Sequence, residues 1–133
     1  MRPAQRLLAG AAVLALAASA TATEAPVATG RAVFQRVCAP CHAKGPGLDG
    51  SPMLPGAAAL ATRHQGAVSP FLEERADLSA EVIRLFVRQG SGTMPMFRKT
   101  EISDAEIAAV AAYLAASAAA AVKPSASPRP DRP

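Results

Sequence analysis

Apolar positions along this chain recur at helical spacing, and no stretch alternates polar and apolar at spacing two, which predicts an all-α domain. Thr29 is placed to cap a short helix running from Gly30 towards Cys38, with Val33, Phe34 and Val37 on one face. Residues 43–55 are broken by Gly45, Pro46, Gly47, Gly50, Pro52 and Pro55 and read as loop. A short helix over Ala57 to Arg63 and a helical turn over Phe71 to Arg75 follow. Leu78 to Gln89 reads as a helix capped by Asp77 or Ser79, carrying Val82, Ile83, Leu85 and Phe86 as its apolar face and stopped by Gly90. Ser91-Gly92-Thr93 then leads into Met94-Pro95-Met96-Phe97. The last helix carries the fullest signature: a capping box of Ser103 and Glu106, and a staple of Ile102 and Ile107. Its buried stripe is Ile107, Val110, Ala111 and Leu114, with Tyr113 at the edge, and it runs to about Ala121.

At 133 residues the chain suffices for one domain. Residues 1–22 read as a secretory signal peptide: Arg2 and Arg6, an uncharged run from Leu7 to Ala18, then small-residue cleavage sites at Ala18-Ser19-Ala20 and Ala20-Thr21-Ala22. The apolar run is short for a bilayer, so export to the periplasm is expected, with no stable membrane span after cleavage. Residues 23–122 form the expected domain, and 123–133, rich in Pro and Ser, an expected disordered tail. The net charge of +4 belongs to these two ends, since residues 24–122 carry nine Lys or Arg against nine Asp or Glu. A formally neutral domain without a basic stripe excludes a nucleic-acid partner.

The chemistry-bearing stretch is Cys38-Ala39-Pro40-Cys41-His42, and the chain has no other cysteine. C-x-x-C-H is the spacing of a c-type haem attachment site, in which two thiols add to the porphyrin vinyls and the histidine offers a ring nitrogen to the iron. A thioredoxin-like pair would want a βαβ context, which is missing. A structural zinc site needs four ligands, and Cys41 and His42 are too close to share one tetrahedral ion with the remaining candidate, His64. A disulfide between Cys38 and Cys41 would close too short a loop to stabilise much. A covalent haem would also help fill a core that has only Phe34, Phe71, Phe86, Phe97 and Tyr113 as aromatics.

A second axial ligand has four candidates: Met53, Met94, Met96 and His64. Pro95 biases Met94 to an extended shape that presents its thioether off the end of a segment. Met96, two residues on, points the opposite way in an extended chain and is expected to pack. His64 lies between Arg63 and Gln65 in a polar stretch and is expected at the surface or on the propionate side.

C-A-P-C-H after a G-x-x-x-F helix, a distant M-P-x-F and a capped final helix with a tyrosine resemble the class I cytochromes c over about residues 28–118. That resemblance implies a small helical domain wrapped around one haem c. It implies that Gly30 and Phe34 cross the last helix near Val110 and Tyr113. It further implies a proline carbonyl facing the proximal histidine ring N–H, best matched by Pro55, with Pro52 second. Glu74-Arg75-Ala76-Asp77-Leu78 and the run Met96 to Asp104 are similar to the cytochrome subunits of 4-cresol dehydrogenase and related alkylphenol hydroxylases. There, a flavoprotein subunit oxidises the phenol and the cytochrome accepts its electrons.

The expected function is therefore electron transfer, with His42 and Met94 on the iron, Cys38 and Cys41 holding the haem, and no catalytic site of its own. The expected partners are a flavoprotein dehydrogenase subunit acting on 4-alkylphenols and a downstream acceptor such as another cytochrome or a copper protein. A free-standing periplasmic carrier is the alternative. A peroxidase or sensor with an open distal site would have to use His64 as its acid or base.

Overall fold

The computed structural model describes residues 24–122, and within them the chain is helical, without strands. The expected signal peptide and Pro-rich tail lie outside the described residues. The first helix, α1, is α-helical over residues 24–33, π-helical over Phe34–Cys38 and α-helical again over Ala39–His42. Then come α2 (Pro55–His64), a 3₁₀ turn (Leu72–Glu74), α3 (Ala80–Gln89) and α4 (Asp104–Val122).

Thr29 does not cap α1. The chain is already helical from residue 24, so Thr29 lies inside the helix, where continuing backbone hydrogen bonds replace the capping role. The π segment has a local cause in Pro40. A proline inside a helix lacks the donor for its i−4 carbonyl, here that of Arg36, and its ring collides with that carbonyl. Widening the preceding turn, so that the Ala39 N–H reaches the carbonyl of Phe34, accommodates the ring without ending the helix.

Two glycines decide how the helices meet, and the first is Gly30. α1 crosses α4 so closely there that a Cβ on Gly30 would stand 1.9 Å from the Ala109 carbonyl oxygen and 2.9 Å from Tyr113 Cβ. The implied crossing is present, with the Ala109 backbone in place of Val110 as the nearest contact. One turn on, the Phe34 and Tyr113 rings lie 5.4 Å apart, tilted by 51°, a geometry that adds about 0.5–1.5 kcal/mol beyond burial. Arg36 reaches Glu106 at 2.9 Å to tie the same two helices.

The capping box at the start of α4 is complete. The Glu106 N–H donates to Ser103 Oγ at 3.2 Å and the Ser103 N–H to Glu106 Oε2 at 2.8 Å. The stapled Ile102 and Ile107 are fully buried. Tyr113 departs from its expected edge position: it is buried, because its ring faces α1 and its hydroxyl donates to the Glu73 carboxylate on the 3₁₀ turn. Ala109 and Ala118 are buried in the stripe, while Ala111 is only half-buried. By length and its mean hydropathy of 1.7, α4 would suffice to cross a membrane. Here Ile107, Val110 and Leu114 lie in the core it shares with Val33, Phe34 and Val87.

α3 begins at Ser79, whose side chain accepts from the Val82 N–H, and stops at Gly90 with φ +70°. Of its expected apolar face only Ile83 is turned inward, and it is half-buried; Val82, Leu85 and Phe86 are exposed, and the buried residue is Val87, which the periodicity did not single out.

Candidate haem site

Cys38, Cys41 and His42 stand at i, i+3 and i+4 on the last turns of α1, so one helix face carries both thiols and the imidazole. Cys38 packs against the hydrophobic core and Cys41 is exposed. Burial, and secondarily the neighbouring Cys41, push the Cys38 thiol up to about 11. Neither cysteine is in a disulfide. Both thiols are thus free for covalent chemistry, and no group beside Cys38 lowers its pKa as a reactive redox thiol would require.

The His42 imidazole is wedged against α2. A Cβ on Gly56 would stand 2.7 Å from His42 Cε1 and 2.9 Å from its Nδ1, so only glycine leaves room for the ring. Nδ1 is buried without a hydrogen-bond partner. The bond to the Pro55 carbonyl is thus not formed in this structure. Pro55 is the first residue of α2, where carbonyls are directed along the helix axis, and the residue facing the ring is Gly56. Burial lowers the His42 pKa and favours the neutral ring that a metal ligand needs. A neutral, walled-in imidazole with no competing protein partner, one position from the second thiol, fits a c-type haem.

Met94 closes a tight turn in which the Ser91 and Met94 backbones exchange hydrogen bonds at 3.1 and 3.0 Å. Gly90 makes this closure possible, since a Cβ there would meet the Met94 carbonyl oxygen at 2.7 Å. Met94 is half-buried and packs against the core, while Met96 is 65% exposed. Phe97 also packs against the core, and its N–H donates to the Val87 carbonyl at 2.8 Å. His64 is the last residue of α2, half-buried, and its carbonyl accepts from Ala67. Pro52 and Met53 lie in the loop before α2, where the Met53 carbonyl accepts from Ser51 Oγ.

Sequence reasoning missed Arg88. From the last turn of α3 it donates to the carbonyls of Phe97 at 3.0 Å and Ile102 at 2.8 Å, and to Asp104 Oδ1 at 2.8 Å. The Arg88 guanidinium first, and Lys99 second, hold the Asp104 carboxyl down at about 2. This group of charges therefore persists as pH falls through the usual carboxylate range. An arginine two residues before a helix-stopping glycine was the only available signal, and by itself it reads as an ordinary cation near a helix C-terminus.

A second missed group surrounds the 3₁₀ turn. Glu74 pairs with Lys44, two residues past His42, and accepts from Ser69 Oγ at 2.6 Å. The Lys44 ammonium lies 5.3 Å from the centre of the Phe71 ring. With Glu73 bonded to Tyr113, this turn bridges the end of the attachment segment to α4.

Residues 25–114 match the family described as cytochrome c oxidase, cbb3-type, subunit III. The chain is also 35% identical to cytochrome c6 of Chlorolobion braunii over 91 residues, covering 68% of this chain and 90% of that protein. No solved structure matches it. With the C-x-x-C-H turn and its walled histidine, these matches establish the chain as a c-type cytochrome, an electron-transfer protein with covalently bound haem c, belonging to the family of the cbb3-type oxidase subunit III cytochrome domain.

Proposed function

We propose that His42 and Met94 are the two axial ligands of the haem iron and that the protein is an exported, periplasmic electron carrier. The observation that carries this reading is the contrast between the methionines: Met94 packs against the same core as Cys38, and Met96 is exposed. The haem supplies a one-electron Fe(III)/Fe(II) couple. The chain's own residues anchor it through Cys38 and Cys41, hold the His42 ring in one orientation against the Pro55–Gly56 start of α2, and fill the second axial position with a soft, neutral thioether that favours the reduced state. With both positions taken, no site is left for bond chemistry, which disfavours a peroxidase using His64. The test is spectroscopic. Met94→Ala is expected to abolish the weak near-infrared band of sulfur-to-iron ligation in the ferric protein, and Met96→Leu to leave it intact. Loss of the band in Met96→Leu would reverse the assignment.

The electron donor we propose is a flavoprotein dehydrogenase subunit acting on 4-alkylphenols. The support is the sequence similarity of residues 74–78 and 96–104 to the cytochrome subunits of alkylphenol hydroxylases. The distal-ligand segment, whose surface includes Met96, Arg98 and Lys99, has the makeup of a docking surface, with apolar contact inside and charge at the rim. Phe97, core-packed, does not belong to that surface, and Lys99 is paired with Asp104 at 2.9 Å. The family match favours a second reading, delivery to a terminal oxidase as a free carrier or subunit. Replacing Met96 and Arg98 together by Ser is expected to slow haem reduction by the flavoprotein about tenfold or more, the scale of losing one central contact, with the spectrum unchanged. Equal reduction rates would place docking elsewhere. Oxidation by a cbb3-type oxidase, with no reduction by the flavoprotein, would favour the second reading.

A further inference from the structure

Met94 is held between two anchors. Upstream, its own N–H and C=O are both engaged by Ser91, so the turn has one closed form. Downstream, both backbone groups of Phe97 are engaged by consecutive residues of α3: its N–H by the Val87 carbonyl at 2.8 Å and its carbonyl by Arg88 Nη1 at 3.0 Å. The other arm of the same guanidinium bonds the Ile102 carbonyl and the Asp104 carboxylate, both at 2.8 Å. The far end of the loop is thereby held to the same helix turn. Asp104 is in turn held by Lys99 at 2.9 Å, with Arg84 Nε farther off at 3.8 Å. Arg88 is mostly buried, with a side chain 20% exposed, so its bonds are shielded from competing water.

From this geometry we infer that Arg88 is the positioning residue for the sulfur ligand, setting how firmly Met94 is kept on the iron. It rests on the Met94 ligation proposed above. The electrostatic logic is local. A planar fork reaches two carbonyls and a carboxylate at once, which a lysine ammonium on a flexible stem cannot reproduce. The three acceptors lie on residues 97–104, and Met94 is three residues before the first of them. Without Arg88, Phe97 is held only through its N–H to the Val87 carbonyl, so the downstream anchor is weakened and excursions of the sulfur away from the haem become more frequent. Arg88 touches neither ligand, so its effect is on the equilibrium between bound and released sulfur and not on the chemistry of the iron.

The experiment uses the ferric holoprotein and exogenous imidazole, whose entry requires the distal sulfur to leave. Arg88→Lys is expected to speed imidazole binding about tenfold, the factor set by losing one charge-assisted hydrogen bond. The variant should keep covalent haem and helix content. An arginine that only stabilises the fold would lower the melting temperature and leave the imidazole rate at the parent value, which overturns the inference. Where Arg88→Lys yields no holoprotein, Asp104→Asn keeps the guanidinium and both carbonyl bonds but removes the anion orienting it. It should accelerate imidazole entry less than tenfold, and an unchanged rate there also overturns the inference. Met94→Ala separates the two ideas. A sulfur-to-iron band persisting in Met94→Ala defeats the ligation and the positioning together. A band lost in Met94→Ala, with imidazole entry unchanged in Arg88→Lys, defeats the positioning alone.

Discussion

Gly30→Ala is expected to lower the melting temperature of the holoprotein, although alanine is the better helix former. On propensity alone the exchange would gain ~1 kcal/mol at an interior helix position. Against it stands the crossing with α4, where the added methyl would lie 1.9 Å from the Ala109 carbonyl oxygen and 2.5 Å from its carbon. Those are backbone atoms in the second turn of a 19-residue helix, so relief requires moving α4 and with it the buried Val110, Tyr113 and Leu114. Overpacking a tight core typically costs ~1–3 kcal/mol, and a backbone that cannot yield puts this site at the top of that range. The net is a loss of about 2 kcal/mol, equivalent to roughly 8–16 °C for a domain of this size. Thermal melts followed by far-ultraviolet circular dichroism would measure it. A Gly30→Ala protein that melts at or above the parent temperature would mean that the helices do not cross here.

Gly56→Ala should act on the iron instead of the fold. Its methyl would meet the Cys41 carbonyl oxygen and His42 Cε1, each at 2.7 Å, and His42 Nδ1 at 2.9 Å. The Cys41 carbonyl is backbone, on the turn that the thioether bonds tie down. The imidazole is the side chain in this contact, and it is what gives way. Turning it out of line would cost the His42–iron bond proposed above, and an overpacking penalty of ~1–3 kcal/mol corresponds to a shift of about five- to 150-fold in the bound-to-displaced ratio. The expected result is a ferric protein with a substantial high-spin fraction in its visible and electron paramagnetic resonance spectra. Haem should remain covalently attached, because Cys38 and Cys41 are untouched. An unchanged low-spin spectrum would show that the wall against His42 has room to spare.

Much of this protein is determined within a few residues of chain. C-x-x-C-H places two thiols and an imidazole on one helical face whatever the rest of the fold does, because the spacing of a helix does so. The capping box of Ser103 and Glu106 and the stop at Gly90 are likewise local, being satisfied by hydrogen bonds or dihedral angles inside one turn. These features were legible in the sequence for that reason. The start of α1 was not legible: Thr29 is a sound cap locally, and it was overridden by a helix already formed upstream. The resemblance suggested the Gly30 crossing, but only packing chose the Ala109 backbone as the contact.

Tertiary structure alone decided the rest. It split the methionines, packing a half-buried Met94 against the core and leaving Met96 exposed, and it turned Phe97 inward by bonding its backbone to Val87. It moved Tyr113 from the edge of α4 to the core by giving its hydroxyl a partner, Glu73, 40 residues away in the chain. It set Gly56 against His42 in place of a Pro55 carbonyl bond, and gave Arg88 three acceptors on a loop that follows its own helix. The physical reason is common to all of these. A motif read along the chain specifies which groups are near each other within a turn. Which buried polar group finds which partner depends on distances between segments, and those are set only when the helices close around a shared core.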